Sequence, residues 1–479
     1  MKEQIALKEK IAYGFGDAAS SMFWKIFGMY SLFFYTDVFG ITAAAAGTMF
    51  LIARLWDSVF DVFVGIVADR TRSRWGKYRP YLLWFAVPFA VMGVFTFYVP
   101  QLAQGGKLAY AYITYSLMMV VYSLINVPYA SLLGAISASP EERNGLSAYR
   151  MSFAFIGSFV TFMLLQPLID FFANHFDPGH AMQHTRHTTD GAVSTSAIAW
   201  TMGVSVIGLI CVALFFLCFS WTKERVQQIE TADQVSVKTD LKNLFSNRPW
   251  WILVATGLAA LLFNAIRDSV AIYYFRDYAG VHYKMAGTGW DITTIYFLVG
   301  QAANLIGVMA APALSAKYGK KKTYMISILL AGILSVVFYF IPNNLVLILL
   351  LQFLISVFAG YVLPLLWSMF ADIVDHQELL TGRRATGLIF SSSSMSQKLG
   401  WALGAALSGW ILALFHYVPD AAQQSADTVF GEKLMISWLP ALCCVLAFLG
   451  MMFYPLSDAK VKEITEVLHQ KRINSKNYE

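Results

Sequence analysis

Cysteine is scarce in this chain. The four present, Cys211 and Cys218 in one apolar run and Cys443 and Cys444 in another, never form a C-x-x-C pair. That excludes a thiolate metal site and a disulfide framework. Charge is scarce as well, at 13% of 479 residues against 57% hydrophobic. A soluble globular protein of this length does not carry so little charge on so much apolar content. The net charge of +6 is therefore assigned to basic loops at a membrane surface, and no nucleic-acid partner is expected. The polar start, Met1 to Lys10, has no apolar core of a cleavable signal peptide; the first span is expected to serve as its own targeting signal.

What is abundant is long apolar runs. Twelve stand out, at about 12–39, 43–68, 80–99, 107–137, 146–172, 197–221, 250–279, 290–315, 322–341, 344–374, 385–416 and 434–455. Each is long enough to cross a bilayer as a helix. Lys and Arg gather in the loops after the even-numbered runs, as at Arg70, Arg72, Arg74, Lys77 and Arg79, and again at Lys317, Lys320, Lys321 and Lys322. The opposite loops hold few: Lys107, Arg186, Arg276, Lys284 and Lys433. The positive-inside bias puts the basic loops and both termini in the cytoplasm. Five basic residues fall inside runs: Lys25, Arg54, Arg150, Arg267 and Lys398.

The most telling stretch is Arg54-Leu55-Trp56-Asp57-Ser58-Val59-Phe60-Asp61. Asp57 and Asp61 are four apart and share one helical face, with Arg54 on it too. Asp57 stands twelve residues before the charged loop that opens at Asp69, which places it ~18 Å deep. An ionised Asp at that depth costs roughly 2.5–3.5 kcal/mol, and two of them repel. An Arg54–Asp57 ion pair that only holds helices together leaves the second acid unexplained. The expected compensation is a bound cation, a proton or a basic partner.

The chain repeats itself. Phe33-Phe34-Tyr35-Thr36-Asp37-Val38-Phe39-Gly40 resembles Tyr273-Tyr274-Phe275-Arg276-Asp277-Tyr278-Ala279-Gly280. Gly76-Lys77-Tyr78-Arg79 resembles Gly319-Lys320-Lys321-Lys322, and Gly145-Leu146 matches Gly387-Leu388. All three offsets are close to half the chain. Two six-helix halves in parallel repeat are the signature of the major facilitator architecture, whose site lies between the halves at mid-membrane. The fold class read from the sequence is therefore an all-α membrane protein of twelve transmembrane helices in two pseudo-symmetric bundles. The expected organisation is an N-terminal bundle at 1–221, a cytoplasmic linker at 222–249 with a short amphipathic helix near 237–246, a C-terminal bundle at 250–455 and a cytoplasmic tail at 456–479. The loop from Asn174 to Ala197 holds His175, His180, His184 and His187 in no zinc-like spacing, and a solvated loop is the reading.

Other motifs fall into place around this frame. Asp69, Arg70 and Arg72 join runs two and three and suit a cytoplasmic latch. In run four, Tyr122 and Asn126 share a face, Ser123 can give a neutral oxygen to the two acids, and Pro128 frees a carbonyl. Hydroxyl, amide and ring together suit a sugar. In run eleven, Ser391, Ser394 and Lys398 form a polar stripe. Run ten carries Pro364 and Trp367, then Asp372, Asp375, His376 and Glu378, read as gate partners for loop arginines. Arg267 and Asp268 are adjacent, diverge by ~100° on a helix, and each calls for its own partner.

At this point Tyr13-Gly14-Phe15-Gly16-Asp17, Phe34-Tyr35-Thr36-Asp37, Ala53-Arg54-Leu55-Trp56-Asp57 with Asp61, Arg72-Ser73-Arg74-Trp75-Gly76-Lys77 and Asn126-Val127-Pro128-Tyr129 resemble the glycoside–pentoside–hexuronide:cation symporter family. Asp372-Ile373-Val374-Asp375 and Gln397-Lys398-Leu399-Gly400 extend the resemblance into the second half. It implies a coupling-cation site at Asp57, Asp61 and Ser123. It implies sugar contacts from the first span, where Asp17, Ser21 and Lys25 stand, from Tyr122, Asn126 and Arg150, and from the second half, where Trp367, Ser394 and Lys398 are the candidates. Asp69, Arg70, Arg72, Asp372 and Asp375 are the gating candidates. The chain departs from the melibiose-transporting members: it reads Ser20-Ser21 where they have Lys-Asp, Asn126 where they have Asp, Ala130 where they have Trp, and Phe60 where they have Asn. These changes point toward the xyloside- and glucuronide-type branches, and Lys25 suits an anionic sugar.

The expected function is secondary active transport: symport of a glycoside, pentoside or hexuronide into the cell, coupled to Na⁺, Li⁺ or H⁺. No cofactor and no metal beyond that cation is expected, and the chain is taken to act as a monomer in the inner membrane. The rivals are an antiporter exporting an amphipathic compound and an intramembrane enzyme built on His376 or Asp372.

Overall fold

The computed structural model describes residues 5–137, 139–178, 194–225, 244–278, 290–341, 344–381, 386–419, 421 and 423–476. The expected helix at 237–246 and most of the histidine-bearing loop lie outside them. The described chain is helical. In chain order its long helices are α1 (Leu7–Lys25, running on through π turns at Ile26–Tyr30 and Phe34–Val38), α2 (Ala43–Arg70), α3 (Arg79–Thr96), α4 (Gln104–Ile136), α5 (Pro140–Phe176) and α6 (Ala197–Trp221). They continue with α7 (Arg248–Tyr273, extended by a π turn at Tyr274–Tyr278), α8 (Ile292–Tyr318), α9 (Lys320–Phe340), α10 (Leu345–Thr381) and α11 (Thr386–Leu414). Last come α12 (Ala426–Ile436), α13 (Trp438–Met452) and α14 (Asp458–Lys476).

Among the described residues, nine helices are long and apolar enough to cross a membrane. They do not include α1, α2 and α11, which carry Asp17 and Lys25, Arg54 with Asp57 and Asp61, and Lys398. The helix termini follow from local chemistry. Thr42 caps α2 by accepting the N–H of Ala45 at 3.2 Å. Pro80 and Pro140 sit in the first turns of α3 and α5, where no intrahelical donor is lost. The duplicated segments share backbone form. Phe34–Val38 and Tyr274–Tyr278 are both π turns. Gly76 and Gly319 both have positive φ, at 109° and 89°, a region that L side chains avoid.

The chain forms two compact units. The first comprises Met1–Glu230, Asp268–Leu298 and Ala405–Glu432; the second comprises Thr231–Arg267, Val299–Gly404 and Lys433–Glu479. In the first, α1 crosses α5 so closely that a Cβ on Gly157 would collide with the carbonyl oxygen of Ala18. Tyr13 stacks on Tyr129 at 4.9 Å between ring centres, and the Tyr129 hydroxyl donates to the carbonyl of Tyr13 at 2.6 Å. In the second, α8 meets α10 backbone to backbone at Gly307 and Gly360, the small-residue contact by which membrane helices pack. Arg267 is buried in this unit. Its guanidinium donates to the Ile436 carbonyl at 2.7 Å and to Gln352 Oε1 at 2.9 Å. The bond to Ile436 satisfies a carbonyl at the break between α12 and α13.

In each unit an acid packs against a loop glycine of positive φ and accepts from the backbone that follows it. Glu224 accepts the backbone N–H groups of Lys77, Tyr78 and Arg79 at 2.8, 2.7 and 2.7 Å, against Gly76. Asp458 accepts the N–H of Lys320 at 2.9 Å, against Gly319.

Candidate functional site

Helix α2 presents two different faces. Leu55, Trp56, Val59 and Phe63 are exposed, as lipid-facing residues of a membrane protein are, while Arg54 and Asp57 are buried. The acids therefore turn inward from the apolar surface. Asp57 has no exposed surface at all. Ser123 of α4 stands against both acids: its hydroxyl oxygen is 2.6 Å from Asp57 Oδ1 and 2.6 Å from Asp61 Oδ1. One hydroxyl has one proton to give, so it bonds to one carboxylate at a time. The other contact is attractive only if Asp57 or Asp61 carries a proton, or if a cation shares the three oxygens. Arg54 Nη1 lies 3.6 Å from Asp57 Oδ2, close enough to offset part of the charge but beyond a hydrogen bond. All three oxygens are hard donors, which suit an alkali cation or a proton and not a thiophilic metal.

A second group adjoins this one in the first unit. From Asp17 to Gly28, along α1 and the π turn that continues it, the half-buried positions are Asp17, Ser21, Trp24, Lys25 and Gly28, and the intervening residues are buried. That spacing is one helical face. Arg150 Nε of α5 donates to Asp17 Oδ2 at 3.1 Å and its guanidinium lies 5.2 Å from the Tyr129 ring. Lys25 Nζ lies 5.8 Å from the Phe162 ring. Trp24 has the Arg54 guanidinium 4.5 Å from its ring centre and the Tyr122 ring at 5.8 Å. An indole flanked by a cation and a phenol is a stacking platform with polar groups at its edge. Asn126 uses its amide nitrogen on the Tyr122 carbonyl of its own helix, at 3.1 Å.

The structure thus brings together Asp57, Asp61 and Ser123, pairs Asp17 with Arg150, and sets Tyr122 beside Trp24. The remaining substrate candidates belong to the second unit, where Trp367 and Lys398 are half-buried. Ser394 lies in α11, with its side chain outside the description. Among the gating candidates, Arg70 and Arg72 are exposed, and the side chain of Asp69 is likewise outside the description. Asp372 is bound at 2.7 Å through each oxygen by Lys320 Nζ, not by a loop arginine. Asp375 is half-buried one turn away.

Sequence reasoning passed over three features. Trp24 lies in the first apolar run with nothing in the sequence to single it out, and only its neighbours Arg54 and Tyr122 draw attention to it. Glu224 looked like part of a polar linker. The third is a polar cluster in the first unit. Asp37 Oδ1 accepts from Arg276 Nη1 and from the Tyr417 hydroxyl, both at 2.6 Å, and Thr36 donates to Asp37 Oδ2 at 2.6 Å. Arg276 also grips Asp277 with two bonds, at 2.7 and 2.8 Å. Thr36 meets the Tyr273 hydroxyl at 2.8 Å. Asp37 and Arg276 stood in the duplicated segments, so the repeat was the available signal. Among the described residues, no group of His, Cys, Asp and Glu is arranged to hold a metal ion.

Comparison with known proteins bears on this site. The family described as MFS/sugar transport protein matches residues 12–458. The isoprimeverose transporter of Lactiplantibacillus pentosus is 33% identical over 469 residues, spanning 97% of this chain and 92% of that one. The glucuronide carrier protein homolog of Escherichia coli is 32% identical over 480 residues, spanning 99% and 98%. In three dimensions the nucleoside transporter NupG superposes with a TM-score of 0.61 at 15% identity, covering 94% of this chain and 99% of that one; this likeness speaks for the fold alone. These relatives are transporters, not enzymes. With an acid pair bridged by a hydroxyl inside an apolar helical body, and with family likeness along nearly its whole length, the chain belongs to the glycoside–pentoside–hexuronide:cation symporter family of major facilitator sugar transporters.

Proposed function

We propose that this protein imports a glycoside, pentoside or hexuronide by symport with a cation that binds at Asp57, Asp61 and Ser123. The observation that carries this reading is the Ser123 hydroxyl set 2.6 Å from a carboxylate oxygen of each acid. That contact is relieved when a positive ion joins it. The sugar is assigned to the adjoining face of Asp17, Ser21, Trp24, Lys25, Tyr122, Asn126 and Arg150, with Trp367, Ser394 and Lys398 contributing from the second half. The proposed frame is twelve spanning helices in two six-helix halves, 1–221 and 250–455, with both termini cytoplasmic and the monomer as the working unit. Asp69, Arg70, Arg72, Asp372 and Asp375 gate the cytoplasmic side.

The coupling is physical and reciprocal. A cation that screens the two acids lets Trp24, Arg54 and Tyr122 settle against a sugar, and a bound sugar must raise cation affinity by the same factor. The loaded protein then changes accessibility from one face to the other. The substrate range is narrowed by two supports. Relatives include an isoprimeverose transporter and a glucuronide carrier homolog, and Lys25 with Arg150 offers positive charge to a carboxylated sugar.

The test is uptake of a panel of xylosides, galactosides and glucuronides into right-side-out membrane vesicles, with and without a Na⁺ gradient and at two pH values. Uphill accumulation that needs one of the two gradients is expected. Uptake that never exceeds equilibration under any gradient would sink the symport reading.

A further inference from the structure

The second unit contains a cavity of about 700 Å³ that the transport reading leaves unused. It lies where α8 ends and α9 begins, against α10 and the start of α14, and its wall includes Lys317, Lys320, Lys322 and Lys462. Ligand pockets have volumes of roughly 300–1,000 Å³, so this one has room for a small polar group. We propose that it binds a phosphate group, supplied by the headgroup of an anionic phospholipid.

The charge distribution favours an anion. One lysine is already spent: Lys320 holds Asp372 through both oxygens at 2.7 Å. The one acid in the wall, Asp458, accepts the backbone N–H of that same residue at 2.9 Å. Lys317, Lys322 and Lys462 form no ion pair among the described residues and are exposed. Three ammonium groups around one concavity repel each other, and a phosphate oxyanion between them relieves that repulsion. Ser368 lies half-buried in the wall and adds a hydroxyl donor.

The position favours a lipid as the source. Lys317 stands in the last turn of α8, which ends at Tyr318, and Lys322 in the first turn of α9, which starts at Lys320, and both helices are long and apolar enough to span a membrane. That is headgroup depth, where basic pockets between membrane helices take anionic lipids. The rest of the wall is apolar, with Ala311, Pro312, Pro364 and Leu365, and can receive the glycerol and the first methylenes of a lipid. Tyr318, with its ring exposed and Lys317 Nζ 5.1 Å from its centre, is a residue of the membrane–water boundary. Helix α14 buries Ile464 and Leu468 and leaves Lys460 and Lys462 exposed, as a helix lying along a charged surface does.

The experiment uses the purified full-length protein in neutral detergent. Native mass spectrometry reads retention of phosphatidylglycerol against phosphatidylcholine, and calorimetric titration reads binding of inorganic phosphate in a separate arm. Each lysine is worth about a fivefold change in partitioning. The combined Lys317→Gln, Lys322→Gln and Lys462→Gln variant is therefore expected to lose on the order of a hundredfold in phosphatidylglycerol affinity. The corresponding triple arginine variant should keep it, and added salt should weaken it in the wild type. Thermal melting establishes that the variants are folded. Phosphate binding that depends on the lysines, without preference for phosphatidylglycerol, keeps the phosphate site and overturns the lipid source. Equal retention of both lipids with no phosphate binding, or retention unchanged in the folded glutamine variant, overturns the proposal. None of these readouts involves sugar or coupling cation, so they stand apart from the transport test.

Discussion

Arg276 and Asp37 are 239 residues apart in the chain and 2.6 Å apart in space. They stand at corresponding helix ends of the internal repeat, each in a π turn. Arg276 is enclosed further by Asp277 and by Tyr417, whose hydroxyl also donates to Asp37. Breaking a buried charge pair by removing one partner costs roughly 3–5 kcal/mol, because the other charge is stranded. Asp37→Ala is therefore expected to loosen this end of the first unit. A cysteine placed at Gly40 should react with a membrane-impermeant maleimide at least tenfold faster in that background. Tyr417→Phe, which removes one of the bonds and no charge, should give a smaller increase. Unchanged labelling in both would show that the cluster closes nothing.

The acid pair makes a sharper prediction. Asp57→Cys should abolish uphill accumulation while leaving sugar binding measurable, because the role proposed for this residue is coupling and not sugar contact. Ser123→Ala removes a hydrogen bond to a charged group, worth roughly 1.5–3 kcal/mol, and should weaken cation activation about tenfold or more. Ser123→Thr keeps the hydroxyl and should restore most of it. The readout is sugar uptake as a function of cation concentration. Wild-type activation in the alanine variant would remove Ser123 from the site.

A substitution at Trp24 tests the proposed sugar face apart from the coupling site. The Trp24 ring centre has the Arg54 guanidinium at 4.5 Å and the Tyr122 ring at 5.8 Å. Stacking of this kind contributes about 0.5–1.5 kcal/mol beyond area. Trp24→Ala should raise the apparent sugar constant by about tenfold and leave the cation dependence in place. Trp24→Phe should lie near wild type. Equal damage to sugar and cation terms would mean that the indole only supports the helix packing.

The close crossing of α1 and α5 is testable as architecture. A Cβ on Gly157 would meet backbone, the Ala18 carbonyl and Cα, which cannot swing aside. Gly157→Ala should cost on the order of 1–3 kcal/mol through overpacking and lower the thermal midpoint in detergent. Gly28→Ala, in the π turn that continues α1, has nothing within 4 Å of its new Cβ and should be near neutral. Equal melting of the two variants would contradict the packing.

Much of the frame was legible in the chain. Each apolar run maps onto a helix, since runs of that length in a bilayer have only one way to satisfy their backbone. The run expected at 434–455 proved to begin earlier, as α12 and α13 with a break at Ser437, because the Arg267 guanidinium takes up a carbonyl there. Asp57, Asp61 and Ser123 were readable as a trio because acids at i, i+4 inside an apolar run demand a partner. The binding of Asp372 by Lys320 instead of an arginine was not readable, since any basic loop residue satisfies the same pattern.

The sequence by itself determined the class of molecule, its helices, its internal repeat and the presence of an acid pair in oil. Those are local properties: periodicity, hydropathy and the cost of burying charge act on neighbours along the chain. Only the tertiary structure decided that one serine hydroxyl is shared by two carboxylates, that Trp24 lies beside Arg54 and Tyr122, and that Asp37 meets Arg276 across half the chain. Such contacts depend on how helices cross, and the crossing is set by the summed packing of small residues such as Gly157, which no single stretch encodes.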